Sequence, residues 1–100
     1  MYQEKERMMD SFIKKHPENE IYPKAKLLVK YISEQFENTK DSVKIFFLDQ
    51  ILEDNPNIYY QVDFDPFVLF VYSLYFFNLM GFTVKYVEYG SILIVTQKTI

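Results

Sequence analysis

Six side chains carry most of the chemistry this sequence could offer: Asp49, Glu53, Asp54, Tyr59, Asp63 and Asp65. Asp63 and Asp65 stand two apart, a spacing that could aim both carboxylates at one Mg²⁺, since hard cations take oxygen ligands. No motif supplies a third ligand, and each acid has a plainer role. Asp65 precedes Pro66, so it reads as a helix N-cap followed by a first helical residue. Asp63 is the polar position of an alternating run. Asp49 and Glu53 are spaced one helical turn apart and, with Asp54, could form an acid pair for proton transfer. Such a pair needs a pocket that shifts one of the two pKa values, and no pocket is implied here. Solvated helix charges are the commoner outcome. Glu53 and Asp54 nonetheless fall at a predicted helix C-terminus, where the dipole disfavours acids, which points to an acidic surface kept for contact.

The remaining reactive types are sparse. His16 is the single histidine and precedes a proline, and the chain has no cysteine. Neither a triad nor a zinc site can be assembled around it. Ser73 lies inside an apolar run without the glycine-flanked elbow of a hydrolase nucleophile, and a bond back to the carbonyl four residues earlier accounts for it. Gly81 and Gly90 are too far apart to cradle a phosphate. The expectation is a chain that is not an enzyme, with no cofactor and no metal.

These side chains need elements to hold them. Met8, Met9, Phe12 and Ile13 recur at helical spacing within residues 2–15, and His16-Pro17 ends that helix. A second helix is predicted over 24–37, entered at Pro23, with Ala25, Leu28, Val29, Ile32 and Phe36 on one face. A third is predicted over 42–54, capped by Asp41 or Ser42, with Ile45, Leu48 and Leu52 in line. Residues 58–64 change period, alternating Ile58, Tyr60, Val62 and Phe64 with polar or tyrosine positions, which predicts a strand.

From Phe67 to Met80 there are fourteen residues without a charge, and Gly81 supplies the left-handed stop. The helix 66–80 is therefore expected to be enclosed by protein on all sides, because about 20 residues are needed to span a bilayer. A hairpin follows, 82–88 and 91–97, turning at Tyr89-Gly90. Ile92–Val95 is apolar on both faces, the mark of a central strand or of one that another surface covers. The fold class expected is α+β: three N-terminal helices, then β-α-β-β, with a small three-stranded sheet on a central hydrophobic helix. The strand 58–64 and strand 82–88 would form a right-handed crossover unit about that helix.

Leu79-Met80-Gly81-Phe82-Thr83-Val84, followed by a hairpin ending Ile92-Leu93-Ile94, resembles the C-terminal part of many small phage and mobile-element proteins. The same third of the chain is similar to the last helix and wing of winged-helix domains. That resemblance would imply a dimeric DNA-binding regulator using Lys14, Lys15, Lys24, Lys26 and Lys30. Two features depart from it: a strand is predicted before residues 67–80, and that helix has no base to touch a phosphate.

Charge distribution narrows the functions further. Residues 51–100 hold two bases and five acids, and no base lies between Lys44 and Lys85. A nucleic-acid binder needs clustered cations, so nucleic acid is not the expected partner. The absence of cysteine and of an N-terminal apolar run suggests a cytoplasmic chain. One Ala and one Arg against ten Phe and nine Tyr read as AT-rich coding, as in viral or mobile-element genes. The aromatic surplus suggests an interface and a homodimer. The function expected is a protein-binding inhibitor or adaptor working through Asp49, Glu53, Asp54, Tyr59, Asp63 and Asp65. Besides the DNA-binding regulator, a metal-dependent hydrolase using Asp63 and Asp65 is the other alternative.

Overall fold

The computed structural model describes residues 2–59 and 65–98. Eight elements follow in order: α1 (Tyr2–Lys15), α2 (Ile21–Gln35), β1 (Val43–Phe47), α3 (Leu48–Asp54), α4 (Pro56–Tyr59), α5 (Pro66–Leu79), β2 (Phe82–Val87) and β3 (Ile92–Gln97). The protein is α+β, with a three-stranded antiparallel sheet in the order β1-β3-β2.

The third strand is not where periodicity placed it. Val43–Phe47 was expected to open a helix over 42–54; it is strand β1, and the helix begins only at Leu48. The segment Val-Lys-Ile-Phe-Phe fits either period locally, but its β-branched and aromatic residues suit a pleated surface. Pairing decides the matter. Val43 lies opposite Thr96 and Phe47 opposite Ile92. The Gln97 N–H donates to the Ser42 carbonyl at 2.8 Å and the Leu48 N–H to the Ser91 carbonyl at 2.9 Å, so the ladder is anchored just beyond both ends of β1.

The strand expected over 58–64 meets a short helix instead, since α4 includes Ile58 and Tyr59; residues 60–64 lie outside the described residues. Among the described residues the strands pair only antiparallel, β1 with β3 and β3 with β2. Five helices are described, three of them between β1 and β2. Helix α2 starts at Ile21, two residues before Pro23. That proline costs nothing there, because N–H groups in the first turn have no partner within the helix.

Helix α5 begins where its cap lies: the Phe67 N–H donates to Asp65 Oδ1 at 2.8 Å, with Pro66 in the first helical position. It ends at Gly81, whose φ of +88° only glycine adopts without strain. One side of α5, comprising Leu69, Phe70, Ser73, Phe76 and Phe77, is buried. Phe76 packs edge-on against Phe12 of α1, with ring centroids 5.6 Å apart, and Phe70 stacks on Tyr86 of β2 at 5.0 Å. Ala25, Leu28, Val29 and Ile32 of α2 and Leu93 and Val95 of β3 complete the same core. Helix α1 is held by Met9, by Phe12, and by Lys26 of α2, which reaches Asp10 at 2.6 Å and Glu6 at 3.6 Å.

The shortest principal extent of the molecule is 19 Å. That is the thickness of one helix layer on one sheet, since packed layers lie about 10 Å apart. The outer face of the sheet, with Val43, Ile45 and Phe47 exposed, is covered by none of the described elements.

Candidate functional site

The six predicted contact residues do not gather into one described site. Asp49, Glu53 and Asp54 share the short helix α3 and are all exposed. Asp49 sits in its first turn, where the dipole favours an acid. At the other end, Gln50 Nε2 donates to Asp54 Oδ1 at 3.0 Å, and Asn55 Nδ2 donates to the Ile51 carbonyl at 2.8 Å. The unfavourable end of the helix is thereby provided with amide donors. Asp65 is taken up as the α5 cap, with its carboxylate still exposed. Asp63 and the side chain of Tyr59 lie outside the described residues. Among the described residues no three of His, Asp and Glu come together as a group that could hold a metal ion.

The aromatic part of the prediction has a definite place. Helix α5 was expected to be enclosed on every side, and it is not. Phe67, Val71 and Leu74 are 47%, 43% and 41% exposed, and Tyr72 and Tyr75 also reach the surface. The spacing of Phe67, Val71, Leu74 and Asn78 alternates four and three residues, which aligns them as one seam along the helix. The physical cause is the two-layer build. Helix α2 and the sheet occupy the Leu69-Ser73-Phe76 side; on the opposite side Phe67 meets Tyr86 of β2 with ring centroids 5.1 Å apart, while Val71 and Leu74 are left partly exposed. Sequence shows that every position on α5 is uncharged, but not which half is turned outward.

The seam has unlike ends. At its start is the exposed Asp65 carboxylate. At its finish Lys98 Nζ donates to Asn78 Oδ1 at 2.9 Å, and Lys5 Nζ lies 3.9 Å from where a Cβ on Gly81 would stand. Negative charge therefore flanks one end and positive charge the other. No helix among the described residues is long and apolar enough to cross a membrane.

The lysines of the alternative DNA-binding reading are partly engaged. Lys26 is paired with Asp10 and Glu6, and Lys24 Nζ donates to the Asn57 carbonyl at 2.8 Å. Lys14 and Lys15 are exposed at the end of α1, and Lys30 is half-buried. His16 packs against Phe12 with centroids 4.5 Å apart and ring planes tilted by 39°, in a ring cluster with Tyr22. Ser73 Oγ donates to the Leu69 carbonyl at 2.6 Å inside the core. Its hydroxyl is occupied by its own helix.

A second apolar surface was missed by sequence reasoning. Val43, Ile45 and Phe47 of β1 stand on the uncovered sheet face. The signal that could have found it is the alternation of Val43, Ile45 and Phe47 with Lys44, which reads as a strand once the helical spacing is set aside. Comparison with known proteins adds no relative: no family model, curated protein or solved structure matches the chain.

Proposed function

We propose that this chain is a non-enzymatic protein-binding module, an inhibitor or adaptor acting in the cytoplasm, whose contact face is the outward seam of α5. The observation that carries this reading is the partly exposed row Phe67, Val71 and Leu74 on an uncharged helix. Water exposure of such a row is unfavourable by about 25 cal/mol per Å² of apolar surface, and a docked partner removes that cost. A row with alternating spacings of four and three suits an amphipathic partner helix. Charge sets its direction: a basic residue of the partner belongs over Asp65 and an acidic one beside Lys98. Asp49, Glu53 and Asp54 of α3 are kept in this reading as a separate acidic contact for a basic partner.

The test uses the partner captured by the intact chain, purified and titrated back. Leu74→Glu is expected to weaken binding by at least about tenfold, or 1.4 kcal/mol, with the far-UV circular dichroism unchanged. Undiminished binding by Leu74→Glu overturns the assignment of α5. Asp49→Asn, Glu53→Gln and Asp54→Asn together report separately on the acidic contact.

A second reading, a winged-helix-like DNA-binding regulator, is favoured by one observation. Helices α3 and α4, rather than a strand, stand between β1 and residue 60, and the strand order is β1-β3-β2, so the chain resembles that fold class over α2 to β3. The helix that would enter the major groove is α5, which has no cation. Gel shifts that weaken steeply with salt would support this reading over the first.

A further inference from the structure

The cross-strand register fixes three rows on the uncovered face of the sheet. They are Val43-Thr96-Thr83, Ile45-Ile94-Lys85 and Phe47-Ile92-Val87. Leu93 and Val95 point the other way, into the core. An antiparallel sheet that faces water on one side normally turns polar residues there. Here six of the nine positions are aliphatic or aromatic, two are threonine and one is charged. Val43, Ile45 and Phe47 are 49%, 62% and 58% exposed, on an edge strand.

We propose that this face is a homodimer interface, in which the sheet packs on the sheet of a second copy. Area and shape select that occupant. Three strands about 4.8 Å apart and five residues long at about 3.3 Å each give a footprint of about 14 by 17 Å. With side-chain relief that is roughly 500 Å² of accessible surface per copy, or about 1,000 Å² for the pair, the size at which specific interfaces begin. A single partner helix is about 10 Å across and would leave one of the three strands bare. A second sheet covers all three.

Lys85, the lone charge on the face, selects the symmetry axis. A two-fold axis across the strands would stack β2 on its own copy and set Lys85 against Lys85. An axis along the strands places β1 over β2 of the second copy. Ile45 of one copy then lies against the aliphatic stem of Lys85 of the other. Because β2 is an edge strand, the ammonium reaches water past the rim. The resulting assembly has four layers, helix-sheet-sheet-helix, with the strands roughly aligned.

This inference does not rest on the α5 reading, which concerns another face of the molecule. Sedimentation equilibrium of the full chain at micromolar loading is expected to give twice the 12.1 kDa chain mass. Ile45→Lys and Ile94→Lys are each expected to return it to a monomer with an unchanged circular dichroism spectrum. Leu74→Glu is expected to leave the dimer intact, so loss of partner binding and loss of dimerisation are read apart. A monomeric wild type, or an Ile45→Lys variant that stays dimeric, overturns the proposal. The chain has no cysteine, so single-cysteine variants test the axis. A mixture of Ile45→Cys and Lys85→Cys chains should link through a short bis-maleimide several-fold better than Lys85→Cys alone. The reverse order excludes the strand-parallel axis.

Discussion

The Asp65 carboxylate accepts the Phe67 backbone N–H at 2.8 Å and so starts α5, a helix of fourteen residues without a charge. The acid that looked most like half of a metal site is occupied with a structural task. Asp65→Ala should therefore destabilise the fold by about 1 kcal/mol, the usual cost of losing an N-cap, while Asp65→Asn should stay within a few tenths. Thermal melting measures both. Mg²⁺ or Mn²⁺ should leave the wild-type melting temperature unmoved; a rise would revive the hydrolase reading.

Gly81 gives a second test of the same helix, at its other end. Its φ of +88° lies in the left-handed region, and an added Cβ would meet only Lys5 Nζ at 3.9 Å. Space is available, so the cost of Gly81→Ala is backbone strain alone, about 1–2 kcal/mol. Gly81→Asn should cost less, because asparagine tolerates that region. Equal losses for the two variants would show that contact, not strain, is the cause.

Two positions on α5 should respond oppositely to truncation. Phe76 is fully buried among Phe12, Tyr22 and Tyr75, so Phe76→Ala should cost about 3–5 kcal/mol. Leu74 is exposed, and Leu74→Ala should stay within about 0.5 kcal/mol in the isolated chain. Urea denaturation distinguishes them. A large loss at Leu74 would mean that the seam is covered within the chain or by a second copy.

Lys26 ties α1 to α2 through Asp10 and Glu6 at 2.6 and 3.6 Å. The partners are partly solvated, so Lys26→Ala should cost no more than about 1 kcal/mol, and less in high salt. The same variant bears on the DNA reading. If Lys26 contacts phosphate, the salt slope of DNA binding should fall by about one unit; if it only docks α1, the slope should not change.

Local signals were enough to place several elements. The face of Ala25, Leu28, Val29 and Ile32, the Asp65-Pro66 start, the Gly81 stop and the Tyr89-Gly90 turn are written in short-range chemistry, because caps, left-handed residues and helical periodicity involve only neighbouring residues. Apolarity on both sides of Ile92–Val95 likewise placed β3 in the middle of the sheet. What tertiary structure decided was every choice with a distant partner. Val43–Phe47 has helical spacing and strand-forming residues at once, and only hydrogen bonding to Ile92–Thr96, some fifty residues later, selects the strand. Composition left α5 without a charge, yet which side faces water depends on where α2 and the sheet end. The outer sheet face follows from the same dependence on distant partners: the register puts Val43, Ile45 and Phe47 on the side away from Leu93 and Val95, where none of the described elements covers them.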